Sequence, residues 1–506
     1  MKKFKRNKAS KRQKGVDMIS NLPDHVLQLI LSGLPTTEEA VRTSVLSKRW
    51  RYLWASIPSR DADCTRKLTN FNESEFKEFV DRLLLDRSVD LDSFRLRCEN
   101  HYDMSTVWRW IRDAIIRKVK LLDLSFSPRV DDDQVIRLPP ILVTCDSLEV
   151  LRLSLSFTST LRLPTVTGFP ALRVLQLNSV HLRLPTITGF PALRVLQLNR
   201  VHLMDVDSVQ PFLRSCPLLE DLSLIDCFSY SYEDPLSYSD EDEDVDVDED
   251  VCISCLNLKT LRVHNRNIGT YTERFGYGGS SEKYVLCVYL HVFCPKLVFL
   301  EYAGHSADEL LIENLDSLKK AVIYPDGRAH KEITFESYGA NTCQLFAGVS
   351  HVESLSLNLF FIQAISTARD PNGVFAKSLP NLKTLEISTT IDDYTMNVVI
   401  RILRCSPILE SFHLIIQEEI FWPEVWKLDE VLTHHLKRVE FLEFNGEQQK
   451  LDMARFLLEN GNELEEMVFS WRGEVNYHEK SMEIMKEMLK FDMASSTVKL
   501  ITLLKD

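Results

Sequence analysis

The sequence lacks the segments that would place the chain in a membrane or send it through one. Its longest apolar stretch, residues 284–293, has ten residues, which is about half of what a helix needs to span a bilayer. The N-terminus is basic but has no apolar core of the secretory type. We therefore expect a protein that contacts no membrane and is found in the cytoplasm, the nucleus or both.

Catalytic motifs are also lacking. The sequence contains no glycine-rich phosphate loop, no His-Glu-x-x-His zinc motif, no nucleophile elbow and no RING-type cysteine array. The glycine-rich run at residues 276–279 lacks the spacing of a nucleotide-binding fingerprint. We predict no catalytic residues, no metal site and no cofactor, and hence a protein that is not an enzyme.

The cysteines show no disulfide framework. There are eleven, an odd number, and their spacing is irregular. Cys252 and Cys255 form a Cys-x-x-Cys pair, but no second pair lies at the spacing of a zinc site. Because a free cysteine behaves as a small apolar residue, we expect both to lie in or near the core.

The net charge of −13 conceals two opposed blocks. Residues 2–14 carry eight Lys or Arg, and residues 240–250 carry nine Asp or Glu. Removing both blocks leaves a net charge of −12, which disfavours nucleic-acid binding by the body of the chain. We predict that residues 1–16 form a disordered basic arm, either a nuclear-import signal or a plain tail, and that residues 230–250 form a disordered acidic insertion.

Residues 17–60 have the pattern of three short helices, each of about ten residues. Pro23 suits the first turn of the first helix. Thr36 and Glu39 have the spacing of a capping box for the second, and Ser47 can cap the third. So small a module buries only a modest part of its surface, which suggests a docking face for a partner.

This region resembles the F-box family. The resemblance is carried by Leu22-Pro23, by Leu34-Pro35 and by the run LSKRWR at residues 46–51, followed by Leu53-Trp54. It implies binding to a Skp-family adaptor, which is held in turn by a cullin that carries a RING protein. The adaptor-binding residues it implies are Leu22, Pro23, Ile30, Leu34, Pro35, Val45, Leu46 and Trp50. For Trp50, as for Trp54, internal packing is the alternative to a place in the interface. A helical bundle that packs only on the rest of the chain is the alternative.

A phrase of three apolar residues recurs through the rest of the chain. Two variable residues separate the first apolar residue from the second, and one separates the second from the third. The phrase begins at Leu91, Val119, Leu148, Leu172, Leu193, Leu219, Leu258, Leu297, Leu318, Val352, Leu382, Leu409, Leu436 and Leu464. The intervals cluster in the twenties, as in leucine-rich repeats. We predict a leucine-rich-repeat solenoid over residues 85–416.

One repeat is duplicated. Residues 161–181 recur at residues 182–202 with two positions changed. A globular core tolerates such a tandem copy only if each unit contacts chiefly its neighbours, which supports a solenoid. Variable residues between the leucines should point to the open face and form a candidate surface for a protein substrate, or merely solvate the sheet. In the duplicated units these are Arg173, Gln176, Arg194 and Gln197.

Residues 418–506 resemble the FBD region that follows leucine-rich repeats in many plant F-box proteins. We expect a helix over residues 481–490 and a strand near residues 498–503. These elements would cap the open end of the solenoid.

The expected fold class is therefore α/β: a three-helix F-box, an irregular leucine-rich-repeat solenoid and an α+β cap. The resemblance implies the substrate-recognition subunit of a Skp, cullin and F-box ubiquitin ligase, in which the repeats bind a protein target of unknown identity. The alternative is a non-degradative interaction scaffold that carries an F-box. A nucleic-acid binder would depend on the basic arm alone.

Overall fold

The computed structural model divides the chain into two compact units, residues 1–129 and 130–506. It describes residues 19, 22–34, 36–64, 73–85, 90–102, 104–128, 135–155, 159–164, 168–185, 190–203, 205–227, 248–264, 287–304, 310–325, 335–366, 379–390, 393–417, 435–472 and 477–505. The predicted basic arm lies outside these residues. Among them, no helix is long and apolar enough to cross a bilayer.

The first unit combines five helices with three parallel strands in the part that is described. The helices are α1 (Asp24–Ser32), α2 (Thr37–Arg42), α3 (Trp50–Leu53), α4 (Glu73–Leu85) and α5 (Met104–Ile116). The strands are β1 (Ser59–Asp63), β2 (Ser93–Tyr102) and β3 (Leu121–Pro128). β2 lies between β1 and β3 and pairs with both in parallel.

Of the three N-terminal helices, α1 has about the expected length, with nine residues, whereas α2 and α3 are shorter than expected, with six and four. The third tightens into a 3-10 turn at Trp54–Ser56. The Arg60 guanidinium donates hydrogen bonds to the carbonyl oxygens of Ala55 and Ile57. It therefore satisfies carbonyl groups that the end of a helix leaves without intrahelical partners.

The second unit is built mainly of short strands. They are β4 (Val135–Arg137), β5 (Val150–Ser154), β6 (Thr160–Arg162), β7 (Val174–Arg183), β8 (Val195–Leu203), β9 (Asp221–Ile225), β10 (Asp248–Ser254), β11 (Thr260–His264), β12 (Cys287–Phe293), β13 (Phe299–Ala303), β14 (Leu310–Glu313), β15 (Lys320–Ile323), β16 (Ser354–Leu357), β17 (Thr384–Thr389), β18 (Ser411–Ile416), β19 (Arg438–Phe444), β20 (Glu466–Arg472) and β21 (Lys499–Lys505). The helices are α6 (Pro140–Val143), α7 (Val209–Arg214), α8 (Phe335–Gly348), α9 (Leu359–Ser366), α10 (Asp393–Arg404), α11 (Gln448–Asn460) and α12 (Tyr477–Met488).

Thirteen of these strands form one parallel series, which we call the main ladder. Their order is β5, β7, β8, β9, β11, β13, β15, β16, β17, β18, β19, β20 and β21. Each of the fourteen residues that begin the apolar phrase is no more than 2% exposed. The phrase therefore predicted the buried positions correctly across both units.

Two smaller parallel ladders accompany the main one. β4 pairs with β6, and β6 pairs with the second half of β7. β12 pairs with β10 and β14. In β7 and β8 the two halves of the strand meet at Ser179 and Arg200, both of which have a positive φ, 54° and 53°. Such a backbone turns the chain, so one strand can serve two ladders.

Two sequence predictions need correction. β10 begins at Asp248, so the last three residues of the insertion predicted at 230–250 belong to a strand; they pair with β12, and residues 230–247 lie outside the described chain. Cys255 is buried as expected, but Cys252 is exposed. In β10, Val251 and Ile253 point inward and are fully buried, so strand alternation turns Cys252 outward.

At the C-terminal end, β19, β20 and β21 extend the main ladder, and α11 and α12 connect them. The predicted helix at 481–490 starts four residues earlier, at Tyr477. The predicted strand near 498–503 is β21. This part of the chain therefore repeats the strand-to-strand arrangement of the residues before it.

A row of charged residues stands at the entrance to strands β15 to β20, each one residue before a strand begins. From the second residue of the row onward, the N–H of each donates to the carbonyl oxygen of the preceding one. This charged row consists of Lys319, Glu353, Lys383, Glu410, Lys437 and Glu465. Its signs alternate, and three pairs of neighbours lie within 3.4 to 3.5 Å, between the lysine nitrogen and a carboxylate oxygen.

Candidate functional site

The N-terminal helical module has a core of its own. Leu27 and Leu31 stand four residues apart on α1, so they share one face of that helix and point inward. The buried cluster is formed by Leu27, Leu31, Ala40, Trp50, Leu53 and Ile57, and the partly buried side chains packed on it are Leu22, Leu34 and Trp54.

Polar contacts hold the ends of the helices together. The Arg49 guanidinium donates to the Leu22 carbonyl oxygen at 2.5 Å and to Oδ1 of Asp24 at 2.7 Å. Nε2 of Gln28 donates to Oγ of Ser56 at 2.8 Å. The first helix is therefore joined to both ends of the segment that carries α3.

The predicted caps are present. Thr36 Oγ1 accepts a hydrogen bond from the Glu39 N–H at 3.1 Å, as a capping box requires. Ser47 Oγ accepts a long one, 3.4 Å, from the N–H of Trp50. The first contact starts α2 at the residue that the sequence indicated, whereas α3 begins only at Trp50, three residues after Ser47.

Among the described residues of the module, six large apolar side chains remain exposed. With Leu27 and Leu31 facing inward, helical geometry turns Leu29 and Ile30 outward. We call the following the exposed apolar set, with exposed fractions in parentheses: Ile19 (56%), Leu29 (70%), Ile30 (46%), Val45 (88%), Leu46 (64%) and Tyr52 (71%). So small a module, with this much apolar surface in water, has the composition of a docking face.

The predicted adaptor-binding residues fall into three groups. Ile30, Val45 and Leu46 belong to the exposed apolar set, and Pro23 is exposed at the start of α1.

Leu22 and Leu34 are half-buried against the core of the module. Trp50, at 5% exposed, is a core residue, so its side chain supports the module from within. Pro35 lies outside the described residues.

Sequence reasoning missed Ile19, Leu29 and Tyr52. Leu29 could have been found from the helical period, because it lies two positions from each of the buried residues Leu27 and Leu31. Nothing in the local pattern marked Ile19 or Tyr52.

The four predicted residues of the substrate face lie together on β7 and β8 and at their entrances. Arg173 and Arg194 precede these strands, and the Arg194 N–H donates to the Arg173 carbonyl oxygen at 2.8 Å. Gln176 and Gln197 are aligned neighbours, and Nε2 of the first donates to Oε1 of the second at 2.6 Å. Both glutamines are half-buried, and both arginines are exposed.

Both arginines, Arg173 and Arg194, form ion pairs within the chain. Arg173 lies 3.6 Å from Glu149, and Arg194 pairs with Glu220. Lys259 also contacts Glu220, at 2.8 Å. The hydrogen bond from Lys259, together with the one from Arg194, lowers the pKa of Glu220, so this carboxylate stays charged in mildly acidic solution.

A second polar group on the main ladder centres on Tyr324. Its hydroxyl donates to Oε1 of Glu386 at 2.8 Å and lies 2.9 Å from Oγ of Ser356. Burial is the main cause that raises its pKa to about 12. Tyr324 therefore stays protonated and serves as a hydrogen-bond donor between strands.

Comparison with known proteins identifies two regions of the chain. Residues 19–61 match the family model described as F-box domain, and residues 430–469 match the model described as FBD.

Similar proteins from Arabidopsis thaliana cover nearly the whole chain. An FBD-associated F-box protein is 26% identical over 503 residues, which span 96% of this chain and 94% of that protein. F-box/LRR-repeat protein 13 is 25% identical over 531 residues, 96% of each chain. The resemblance noted in the sequence is confirmed: the chain carries an F-box domain and an FBD, and its relatives are F-box/FBD/LRR-repeat proteins.

Proposed function

We propose that this chain is the substrate-recognition subunit of a Skp, cullin and F-box ubiquitin ligase. F-box domains generally bind Skp-family adaptors, and the adaptor would connect this chain to a cullin and a RING protein. The observation that carries the proposal is the exposed apolar set, which lies within the residues that match the F-box domain. The role is that of a non-catalytic adaptor.

The energetics favour a partner for this surface. Burying an aliphatic side chain is worth about 1.5–3 kcal/mol. Most of this free energy is still to be gained at Val45 and Leu46, because 88% and 64% of their surface is exposed in the chain alone. Covering these two residues would therefore supply about 2–4 kcal/mol, or roughly thirty-fold to a thousand-fold in Kd.

The rest of the chain would hold the target. We interpret the main ladder as an irregular leucine-rich-repeat solenoid that the FBD extends to the C-terminal end. Three observations support this interpretation: successive strands pair in parallel, the residues that begin each apolar phrase are buried, and related proteins are named for leucine-rich repeats. Solenoids of this kind bind proteins through the variable residues of their strands.

Co-purification tests the adaptor half of the proposal. We expect a Skp-family adaptor to elute with the full chain in size-exclusion chromatography and to be lost from the double variant Val45→Asp, Leu46→Asp. The matched control is Leu85→Asp, at the end of α4, because Leu85 is 72% exposed but lies outside the F-box.

All three proteins should show the same thermal unfolding, since the substituted side chains are solvated. The assignment of the docking face would be refuted if the double variant retained the adaptor.

The alternative, an F-box scaffold that causes no degradation, makes a different prediction for the target. Proximity labelling in cells, with the intact chain and with the double variant, identifies the neighbours of each. A ligase subunit should yield neighbours whose abundance rises when adaptor binding is lost. If their abundance is unchanged, the scaffold is favoured.

A further inference from the structure

An arginine-rich, acid-free stretch lies in the middle of this acidic protein. Residues 150–204 contain six arginines and neither Asp nor Glu, although the whole chain has a net charge of −13. The stretch covers β5 to β8 and includes both copies of the duplicated repeat. Its charge therefore departs sharply from that of its surroundings.

Three arginines stand side by side at the ends of neighbouring parallel strands. Arg137 of β4 is aligned with Arg162 of β6, and Arg162 is aligned with Arg183 of β7. All three are exposed. Adjacent strands lie about 4.8 Å apart, so this arginine row extends over roughly 10 Å.

The fold gives no reason for such a row. Like charges that face each other on adjacent strands destabilise a sheet. Among the described residues none of the three arginines forms an ion pair, whereas Arg173 and Arg194 each have a glutamate partner. An anionic ligand bound to the row would relieve the repulsion among the three guanidinium groups.

Further hydrogen-bonding groups lie on the same side of the sheet. Thr160, His181 and His202 are aligned on β6, β7 and β8. Thr160 and His181 stand two residues before Arg162 and Arg183, and residues two apart on a strand share a face. The two imidazole rings are 4.9 Å apart, centroid to centroid.

The duplication itself produced half of this arrangement. Arg162 and Arg183 occupy the same position in the two copies, as do His181 and His202. Copying the repeat therefore set a second arginine and a second histidine directly beside the first. The row gained charge by a step that left the apolar phrase intact.

We propose that the arginine row binds an anionic segment of a protein partner, an extended peptide with carboxylate or phosphoryl groups on alternate residues. In an extended peptide such groups recur about every 7 Å, so two of them fit within the row. Guanidinium groups pair with carboxylates and phosphates through two parallel hydrogen bonds. The inference rests on the proposed target-binding role of the repeats and names the chemistry of the target.

A peptide fits this site better than a nucleic acid does. Nucleic-acid binding requires many phosphate contacts over a basic surface. Here the stretch that has arginines and no acids covers only β5 to β8 of a chain whose net charge is −13. A short peptide can contact the row and avoid the acidic surroundings.

The test is fluorescence anisotropy with the full chain and three labelled peptides. In these peptides serine alternates with glutamate, with phosphoserine or with glutamine. We expect the two anionic peptides to bind and the glutamine peptide not to bind. Tighter binding of the phosphoserine peptide would identify a phosphorylated target, and equal binding an acidic one.

Charge-matched variants separate the row from the general field of the protein. The triple variant Arg137→Gln, Arg162→Gln, Arg183→Gln should bind the anionic peptides roughly tenfold more weakly, because the exposed ion pairs between the row and the peptide are lost. The control triple Arg112→Gln, Arg214→Gln, Arg404→Gln changes the net charge equally at exposed arginines elsewhere and should bind as the wild type does. Thermal unfolding of both variants checks that they fold.

Three results would overturn the proposal. One is equal weakening by both triple variants, and another is failure of both anionic peptides to bind. The third is binding only after the acids of residues 240–246 are replaced by amides, which would make the chain's own acidic block the occupant. Because no adaptor is present in this assay, its outcome is independent of the co-purification test of the proposed function.

Discussion

Removing one copy of the duplicated repeat should leave the protein folded. A chain that lacks residues 176–196 joins Leu175 to Gln197 and restores the apolar phrase without a change of phase. Val174 and Leu175 would continue into Gln197, Leu198 and Asn199. The hybrid strand would pair with β5 on one side and β9 on the other, as β7 and β8 now do.

The packing beneath the strands should also close over the gap. Phe190 now stands between Phe169 and Phe212, with ring centroids 5.2 and 5.8 Å away. After the deletion Phe169 takes the place of Phe190 against Phe212. Folded proteins have a net stability of about 0.05–0.15 kcal/mol per residue, so the loss of 21 residues should cost about 1–3 kcal/mol.

The control deletion removes residues 177–196 and so retains one more residue, Gln176. That single residue shifts the strand by one position and turns Leu198 and its neighbours to the opposite face. In the full chain Leu198 is 2% exposed, and removing a buried leucine from the core lowers the free energy of unfolding by about 2–5 kcal/mol. The control should therefore lose the cooperative transition.

Urea denaturation followed by circular dichroism distinguishes the two chains. We expect the in-phase deletion to unfold in a transition as cooperative as that of the full chain, at a slightly lower midpoint. If both deletions are equally damaging, then the units do not behave as interchangeable neighbours, and the solenoid interpretation is wrong.

Two further predictions concern ionisation. In a short pulse of iodoacetamide at mildly alkaline pH, Cys252 should be alkylated well before Cys255, because Cys252 is exposed whereas burial raises the pKa of Cys255 to about 12. Peptide mass spectrometry measures the alkylation of both cysteines, and equal rates would contradict the burial of Cys255. The hydrogen bonds from Lys319 and Lys383 lower the pKa of Glu353, so its stabilising contribution is present above the ordinary glutamate pKa and is lost as the pH falls through the lowered value. Glu353→Gln should therefore lower Tm at neutral pH but not in strong acid, and a difference that persists in acid would show that charge is not the cause.

The repeat phrase predicted the core of the protein because its signal is repeated. Except for β21, whose Leu503 and Leu504 are exposed, each strand of the main ladder places at least two apolar residues inward, and the same pattern recurs along the chain. The capping residues Thr36 and Ser47 were predictable for a related reason, since a cap acts on residues two or three positions away.

Features that depend on distant partners were not predictable. Trp50 resembles an interface residue in sequence but is buried, because α1 and α2 supply the core that surrounds it. Val45, in contrast, is 88% exposed; the family resemblance had marked it, but its residue type alone does not indicate an exposed position. The arginine row was equally hidden, because Arg137 and Arg162 are 25 residues apart and meet only through strand pairing.

The alternating charges at the strand entrances affect how the chain assembles. If a strand docked after skipping one neighbour, Lys319 would meet Lys383 and Glu353 would meet Glu410, so the misassembled ladder would carry repulsion where the native one carries attraction. Because successive units resemble each other in their leucines, the apolar phrase alone would permit such an omission. The charged row thus favours the correct order of nearly equivalent units, because an incorrect order would place like charges side by side.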